Sequence, residues 1–394
     1  MSSRPLTIAM VGTKGVPATF GGIEKHVEEL GARLAARGHR VTVHCRRNYT
    51  GASRGRCEVL ARRHWRYRGM DLRLLPSVGT KHLDAITHTA LAGLGEVFGG
   101  HDIVHFHALG PSLLSWLPRL ARRRVVATCH GLDWQRAKWG GMAKRALRAG
   151  EWSIARFPHR TICVSQTLRD HFAARHGCEA LYIPNGVDLP ELLAPREITE
   201  RWGLRGNDYV LFLSRLVPEK RADVLIEAFR GLETSVRLVI AGGSSMSDDH
   251  VGHLHALAQG DARILFTGNV TGDLWRELMS NARVFVLPSE LEGLPIVLLE
   301  ALSFGRCVVA SDIPVNREVL EGTAPGDAAW GRLFRTNDTA SLREALKWVE
   351  ANPGEVEALG RAARPRVAAH FTWERVADET ERVYRELTGQ GASD

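Results

Sequence analysis

The chain has 394 residues, which is more than one hydrophobic core usually organises, so we expect two domains of similar size. Its 44% hydrophobic and 24% charged residues are typical of a folded globular protein and exclude a disordered, collagen-like or coiled-coil chain. The net charge of +8 is divided unequally, because residues 1–190 hold 29 Lys and Arg against 13 Asp and Glu, which makes that half +16 and the remainder −8.

Apolar, β-branched runs alternate with segments of helical period along the whole chain. The first half contains six predicted strands, Leu6–Val11, Val41–Cys45, Ile103–Phe106, Val125–Thr128, Thr161–Val164 and Leu181–Ile183. The second half contains five, Tyr209–Leu213, Arg237–Ala241, Arg263–Phe266, Val284–Leu287 and Cys307–Ala310. Such alternation predicts an α/β fold of two Rossmann-like, doubly wound domains whose sheets face each other across a cleft.

Helices are expected between these strands. The first has its apolar stripe at Ile23, Val27, Leu30 and Leu34 before Gly38, and a later one has Val224, Leu225, Ala228 and Phe229 before Gly231. Pro, Asn and Gly cluster between Ile183 and Pro190, which predicts the linker. The predicted domains are residues 1–188 and 189–372, followed by a terminal helical segment, 373–394.

A glycine-containing loop, Gly12–Gly22, follows the first predicted strand and precedes a helix. Glycines there let backbone N–H groups approach an anion, and the helix dipole favours negative charge. The loop has neither the GK[ST] end of a Walker loop nor the GxGxxG spacing of dinucleotide folds. A plain tight turn is therefore the alternative interpretation.

A second loop, Ser214–Lys220, connects a predicted strand to a helix in the second half. It contains Arg215 and Lys220, and a forked guanidinium together with a mobile ammonium is well matched to a diphosphate. The alternative is a pair of solvated surface charges.

The segment Glu292–Glu300, EGLPIVLLE, follows the strand Val284–Leu287. Gly293 permits close approach of a ligand, and Pro295 suits the first turn of a helix. We expect the helix N-terminus to hold an anion, with Glu292 and Glu300 accepting hydrogen bonds from sugar and ribose hydroxyls. Otherwise Glu292 is a solvated loop charge and Glu300 a surface residue, although Glu300 is flanked by leucines and a carboxylate there needs a partner.

Histidines end two strands of the first half. His130 closes one strand, and a satisfied core histidine and a functional one are equally consistent with that position. His105 and His107 alternate on one face of a strand end, but no further ligand spacing supports a metal site. The pair Asp248-Asp249 lies in a polar segment and does not form a DxD motif, so no metal is expected.

Six cysteines are scattered without a CxxC pair, at Cys45, Cys57, Cys129, Cys163, Cys178 and Cys307. Reduced thiols in a cytoplasmic protein are the simplest interpretation. No run of about eighteen apolar residues occurs, so we expect neither a membrane span nor a secretory signal. The positive first half suits an anionic membrane, a phosphate-bearing acceptor or nucleic acid. The alternative is a GC-rich genome, which encodes arginine in place of lysine and spreads it over a solvated face.

Four motifs in this order, the early Gly21-Gly22 pair, the IPNGVD junction, the SRLVPEK loop and EGLPIVLLEA, resemble those of the retaining GT-B glycosyltransferases of family 4. The resemblance covers nearly the whole chain, and the family includes bacterial mannosyl-, glucosyl- and rhamnosyltransferases of polysaccharide synthesis. It implies transfer of a hexosyl group from a nucleotide-sugar, most simply a UDP- or GDP-sugar, to a glycan, lipid-linked or sugar-phosphate acceptor. It also implies retention of configuration and no metal or other cofactor.

The resemblance assigns roles to individual residues. Arg215 and Lys220 match the basic pair at the donor diphosphate, Glu292 the glutamate beside the transferred sugar, and Glu300 the glutamate at the ribose. Gly293 and Leu294 match backbone donors to the nucleotide-sugar. In the first domain, Gly21 and Gly22 match the glycine loop near the phosphates and acceptor, and His130 matches the cleft histidine. The last helix matches the family's crossing helix.

Other functions remain in view. A nucleotide-sugar epimerase or hydrolase has the same architecture, and a product screen with and without acceptor distinguishes it. A non-enzymatic nucleotide-sugar sensor is disfavoured by the complete set of Arg215, Lys220, Glu292 and Glu300. Dispersed arginines and no known binding module disfavour nucleic acid as the partner. We expect a cytoplasmic protein with possible peripheral contact to the inner membrane face.

Overall fold

The fold is seen in a computed structural model that describes residues 4–19, 21–79, 83–244, 247–321 and 329–390. Its contacts divide the chain into two compact units, which we call the first unit, 1–186 with 373–394, and the second unit, 187–372. The first division falls inside the predicted linker, and the second falls directly before the predicted terminal helix.

Nine strands and seven helices form the first unit before the chain enters the second, counting only described residues. The strands are β1 (Thr7–Val11), β2 (Arg40–Arg46), β3 (Glu58–Ala61), β4 (His64–Tyr67), β5 (Met70–Leu75), β6 (Ile103–His107), β7 (Arg124–Cys129), β8 (Arg160–Cys163) and β9 (Leu181–Tyr182). The helices are α1 (Gly22–Ala36), α2 (Arg47–Thr50), α3 (Leu83–Phe98), α4 (Leu109–Ser112), α5 (Trp116–Leu120), α6 (Gly141–Arg156) and α7 (Gln166–His176).

The first sheet has the order β3-β4-β5-β2-β1-β6-β7-β8-β9. Strands β3, β4 and β5 pair antiparallel, and the other neighbours pair parallel. Because β1 connects to β2 on one side and β6 lies on its other side, the strand order reverses between β1 and β6. Ligands of doubly wound sheets bind at the carboxyl ends of strands beside such a reversal.

The second unit consists of a parallel sheet and eight described helices. Its strands are β10 (Tyr209–Leu213), β11 (Arg237–Ala241), β12 (Ile264–Gly268), β13 (Val284–Leu287), β14 (Val308–Ser311) and β15 (Arg332–Phe334). Its helices are α8 (Glu197–Trp202), α9 (Ala222–Arg230), α10 (Asp248–Ala258), α11 (Gly272–Asn281), α12 (Ile296–Ser303), α13 (Pro314–Leu320), α14 (Thr339–Ala351) and α15 (Pro353–His370).

The second sheet has the order β12-β11-β10-β13-β14-β15, so its strand order reverses between β10 and β13. The four central strands, β10, β11, β13 and β14, are buried along almost their whole length and so on both faces. On one face, Phe212, Leu238, Ile240, Val284 and Val309 belong to an apolar cluster with α9 and α14. Continuous burial of this kind is expected for parallel strands covered by helices on both sides.

The terminal helix, α16 (Trp373–Thr388), belongs to the first unit and packs on α1. Its buried residues include Trp373, Val376, Val383 and Tyr384, which form the apolar side of the helix. On its polar side Glu374 accepts hydrogen bonds from Arg33 at 2.8 Å and Arg37 at 3.0 Å. The last segment of the chain therefore completes the core of the first unit.

The α/β fold with two parallel-sheet domains is confirmed, and all eleven predicted strands are present with ends that differ by at most two residues. Four strands were not predicted: β3, β4, β5 and β15. All four residues of β3 are exposed, and β5 alternates between buried and less buried positions, so neither forms the continuous apolar run that identified the others. Within the described residues, no helix is both long and apolar enough to cross a membrane.

Helix α9 ends at Arg230 and Gly231 follows it, as predicted, although φ of Gly231 is −82° and only Gly38 has the positive φ of a left-handed helix end, +89°. One local prediction needs correction. Asp248 and Asp249 form the first turn of α10 rather than a polar loop.

Candidate functional site

The reversal of strand order in the second unit places two predicted loops side by side. The loop Ser214–Lys220 leaves the carboxyl end of β10, and the segment Pro288–Pro295 leaves the carboxyl end of the neighbouring strand β13. A backbone hydrogen bond of 3.1 Å from Glu290 N–H to Glu219 O connects the two loops directly. The basic and the acidic motifs therefore share one edge of the sheet.

Lys220 and Glu292 meet at this edge. The Lys220 ammonium donates a hydrogen bond to Oε1 of Glu292, and their side chains are only 11% and 10% exposed. Neither residue is thus a solvated surface charge. A partly desolvated pair is held more strongly than a surface pair, and removal of one partner leaves the other charge poorly compensated.

The turn that carries Lys220 is fixed by its neighbours. Residues Pro218–Lys220 form a single 3₁₀ turn, and Arg221 has a positive φ of +50° before α9 begins. The Arg221 guanidinium donates to Asp223 at 3.0 Å and to Glu290 at 3.4 Å. These contacts hold the two loops in one arrangement.

The other predicted donor-site residues lie on the same loops and the helix that follows. Arg215 is half-buried in the loop after β10, and Gly293 and Leu294 follow Glu292, with Leu294 buried. Helix α12 begins at Ile296, so Pro295 stands one position before the predicted first turn, where its carbonyl accepts from Leu298 N–H at 3.1 Å. Glu300 is half-buried on this helix.

A third loop at this edge was missed in the sequence. Gly242 and Gly243 follow β11, and Gly242 has φ +141°. A Cβ on Gly242 would lie 1.8 Å from the Ser214 carbonyl oxygen, and Gly243 O accepts a hydrogen bond from Leu216 N–H at 3.0 Å. The sequence signal was available, because glycines in a loop between a strand and a helix are the pattern that identified the loop Gly12–Gly22.

In the first unit, the loop after β1 is fastened to α1. The Lys14 N–H donates to Glu24 at 3.1 Å, and the Ala18 N–H donates to Glu28 at 2.6 Å. Gly21 precedes α1 with φ +114°, where a Cβ would lie 2.2 Å from Oε2 of Glu24, and Gly22 is the first helical residue. Carboxylates of α1 already accept hydrogen bonds from two backbone N–H groups of the loop. An anion bound at this loop would therefore need other hydrogen-bond donors.

Four histidines lie together in the first unit. His130 Nε2 is 3.2 Å from His107 Nδ1, and the rings of His26 and His130 are 4.7 Å apart. His26 Nδ1 lies 2.9 Å from the Asn185 side-chain oxygen. The fourth histidine, His105, contacts the Tyr384 hydroxyl of α16 through Nδ1 at 2.5 Å.

Burial keeps these imidazoles neutral. It lowers the pKa of His26 to about 4 and that of His105 to about 3, and it holds the pKa of His107 and His130 well below the usual 6.5. A neutral imidazole donates one hydrogen bond and accepts another. His130 is therefore suited to orienting a hydroxyl group rather than to carrying a positive charge.

The sequence missed this cluster because His26 comes from α1, far from the strand ends that carry the other histidines. Ligand nitrogens of His26, His107 and His130 all lie within 4.8 Å of one another, so the expectation that no further metal-ligating side chains accompany His107 is wrong. The absence of a metal stays a prediction.

Two family models match the chain. The model described as Glycosyltransferase Family 4 matches residues 20–191, and the model described as Glycosyl transferases group 1 matches residues 196–366. The chain belongs to glycosyltransferase family 4 and has the GT-B fold. The first model ends and the second begins close to the division between the two units.

Curated relatives of this glycosyltransferase span nearly its whole length. Alpha-maltose-1-phosphate synthase of Mycobacterium tuberculosis is 26% identical over 97% of this chain and 100% of its own. The GDP-mannose-dependent alpha-(1-6)-phosphatidylinositol monomannoside mannosyltransferase of Mycolicibacterium smegmatis is 29% identical over 92% of this chain and 94% of its own.

Solved structures agree in fold with the glycosyltransferase. Sucrose-phosphate synthase from Thermosynechococcus elongatus superposes with a TM-score of 0.79, at 21% identity, over 98% of this chain and 99% of its own. HepE of Anabaena in complex with UDP and glucose superposes with a TM-score of 0.77, at 17% identity, over 97% and 100% of the two chains. The enzyme is a hexosyltransferase that uses a nucleotide-sugar donor.

Proposed function

We propose that the enzyme transfers a hexosyl group from a UDP- or GDP-sugar to a lipid-linked glycan or sugar-phosphate acceptor in cell-surface polysaccharide synthesis, with retention of configuration. The observation that carries the proposal is the buried Lys220–Glu292 pair at the reversal of strand order, with Arg215 on the same loop as Lys220. One relative is named as GDP-mannose-dependent and one similar structure holds UDP, which supports the two donor classes.

In this proposal, Lys220 and Arg215 bind the donor diphosphate and stabilise the charge that develops on it. The bond between the anomeric carbon and the diphosphate oxygen breaks, and the acceptor oxygen bonds to the same face of the sugar. The acceptor proton passes to the departing phosphate oxygen. Glu292 already holds the Lys220 ammonium at this edge of the sheet, so this charge needs little reorganisation when the leaving group forms.

Glu292 and Glu300 act as hydrogen-bond acceptors in this scheme. A carboxylate offers two oxygens and suits paired hydroxyls, so Glu292 binds the transferred sugar while Glu300 binds the ribose. Gly293 and Leu294 donate backbone N–H groups to the donor. In the first unit, His130 orients an acceptor hydroxyl in the proposed reaction. The loop with Gly21 and Gly22 contributes to binding the phosphates and the acceptor.

We infer that no metal takes part, because the proposed charge stabilisation comes from two cationic side chains. Excess chelator should leave the transfer rate unchanged. A loss of activity that a divalent cation restores would contradict this, and variants of His26 and His107 would then show whether the histidine cluster holds the ion.

A panel of nucleotide-sugars tests the donor assignment. A ligand at about a hundred times its dissociation constant stabilises a protein by about 2.7 kcal/mol, so the correct donor should raise the melting temperature measurably. We expect a UDP- or GDP-sugar to do so and ADP- and dTDP-sugars to have less effect. Stabilisation by neither UDP- nor GDP-sugars would overturn the assignment.

The donor identified in this way is then incubated with membrane and soluble acceptor extracts. Transfer should require acceptor, and the anomeric configuration of the product, measured by NMR, should match that of the donor. Inversion would contradict the proposed mechanism, and conversion of the donor without acceptor would indicate an epimerase or hydrolase instead.

A further inference from the structure

One face of the first sheet is covered by α3, α5 and α6. Right-handed connections from β5 to β6, β6 to β7 and β7 to β8 all advance in the same direction across the sheet, so their helices lie on the same side. Neighbouring helices of this layer are in contact; a Cβ on Gly93 of α3, for example, would lie 3.7 Å from Leu117 of α5. We call the outer surface of these three helices the α3–α5–α6 face.

The α3–α5–α6 face is unusually apolar. It presents seven of the twelve exposed large hydrophobic residues of the described chain: Leu91, Leu94, Phe98, Trp116, Leu120, Met142 and Trp152. Phe98 and Met142 are each 86% exposed and Leu120 is 75% exposed. Among the described residues of the second unit, only Leu189 and Leu192 are of this kind, so the apolar surface is concentrated on the first unit.

These residues form two groups, one shared by α5 and α6 and one along α3. Trp116 of α5 and Trp152 of α6 line one surface depression of about 310 Å³, and Trp152 packs edge-on against Phe157 at 5.4 Å. On α3, Leu91, Leu94 and Phe98 follow helical spacing and share one side. Clustered apolar surface of this kind marks an interaction site.

The charge of the face is positive. The three helices contain three acidic residues: Glu96 and Glu151 are buried, and Asp84 is paired with Arg46 at 2.6 Å. Exposed arginines accompany the apolar residues, at Arg119, Arg122, Arg145, Arg148 and Arg156. Among the described carboxylates, none pairs with Arg122, Arg145 or Arg156 within 4.0 Å, so their charge faces outward.

We propose that the α3–α5–α6 face binds an anionic lipid bilayer, with its leucine, phenylalanine and tryptophan side chains among the headgroups and its arginines on lipid phosphates. Tryptophan and arginine both suit this boundary, because each combines an apolar body with a polar group. A second copy of the chain fits less well, since a two-fold contact would place arginines against arginines. Nucleic acid would leave the exposed leucines and Phe98 without a partner.

This inference rests on the proposed function, because a lipid-linked acceptor lies at a membrane and gives the enzyme a reason to bind there. The loop after β7 carries His130 and leads into α6, whose first turn contains Met142. Met142 therefore lies at the carboxyl edge of the first sheet, as His130 does, whereas Phe98 and Leu120, which precede β6 and β7, lie toward the opposite edge. An acceptor anchored in the bilayer would reach His130 from the Met142 end of the face.

Co-sedimentation of the full-length protein with vesicles tests the proposal. We expect binding to phosphatidylcholine vesicles that contain phosphatidylglycerol, weaker binding to pure phosphatidylcholine, and release as salt screens the arginines. The double variant Phe98→Ser with Leu120→Ser and the double variant Arg122→Glu with Arg145→Glu should each bind at least about tenfold more weakly. The control Val59→Ser with Leu60→Ser changes exposed apolar residues of β3, 41% exposed each, and should bind like the wild type.

The outcomes separate this proposal from the proposed function. Absence of wild-type binding at low salt, an equal loss in the control, or a change of oligomeric state in the variants without vesicle binding would overturn it. Vesicle binding requires no turnover, so binding without transfer would contradict the proposed function alone. Thermal stabilisation by the donor should be the same in all variants, which shows that they are folded.

Discussion

At the scale of single residues, the proposed donor site depends on contacts between side chains that are distant in the sequence. Lys220 and Glu292 come from different loops, yet each is the other's partner at about one-tenth exposure. The sequence predicted both residues, with the diphosphate as the ligand of Lys220 and the sugar as the ligand of Glu292. It did not predict that the two side chains pair with one another. When the donor binds, the diphosphate would share Lys220 with Glu292.

Replacement of Lys220 by alanine should reduce the turnover number about a hundredfold or more, since loss of one preorganised charge donor has an effect of this size. Steady-state kinetics with the identified donor measure it. Lys347→Ala is a matched control, because Lys347 is 55% exposed and pairs only with Glu344 on its own helix among the described residues. Near-normal transfer by the Lys220→Ala enzyme would refute the assignment.

The histidine cluster makes a prediction about acid stability. The pKa of His26 falls from 6.5 to about 4 on folding because of burial, so the unfolded chain takes up a proton that the folded chain refuses between these values. The contribution of neutral His26 to the free energy of unfolding is therefore fully present above about pH 6.5. It falls as the pH is lowered toward 4, by about 1.4 kcal/mol per pH unit for each such proton.

The variant His26→Gln removes this one titrating group. Urea denaturation at pH 7 and pH 5 should show that the stability difference between wild type and variant shrinks by about 1–2 kcal/mol at the lower pH. A difference that does not depend on pH would mean that folding does not lower the pKa of His26.

At the scale of elements, the loop geometry was predictable only where a local pattern exists. Glycine loops and the loop after each strand follow from the alternation of apolar runs and helical periods. The exposed strand β3 and the short strand β15 lack such a pattern, because their pairing rather than their composition makes them strands. The arrangement of Gly242 against Ser214 depends on the parallel pairing of β10 with β11.

Gly242→Ala should disrupt this edge of the sheet. Its φ of +141° is strained for alanine, and the new Cβ would lie 1.8 Å from the Ser214 oxygen, so we expect a loss of at least about 2 kcal/mol in the stability of the second unit and weaker donor binding. Thermal denaturation with and without donor measures both. Gly260→Ala is the control, because Gly260 also has a positive φ, +87°, but no atom within 4 Å of a Cβ, and it should cost less.

At the scale of the whole molecule, the first unit is discontinuous in sequence and the second is continuous. Trp373 and Tyr384 of α16 are almost fully buried in the first unit, and Tyr384 contacts His105. A chain that ends before α16 would expose this apolar surface and lose the ion pairs of Arg33 and Arg37 with Glu374.

Separate expression of the units tests this dependence. A fragment of residues 187–372 should fold cooperatively, as judged by circular dichroism and melting, whereas residues 1–186 should be insoluble or lack a cooperative transition. Addition of residues 373–394 through a linker should restore folding of the first unit. A stable, soluble fragment 1–186 would show that α16 is not required.

The sequence by itself determined the alternation of strands and helices, the location of the linker, the excess of positive charge in the first half, and the loops that carry Arg215, Lys220, Glu292 and Glu300. These follow from local periodicity and from residue types at the ends of strands. Only the tertiary structure decided that Lys220 pairs with Glu292, that His26 joins His107 and His130, and that exposed apolar residues of three helices form one positive face. Each of these depends on strand order and helix packing, which bring together residues that no local pattern connects.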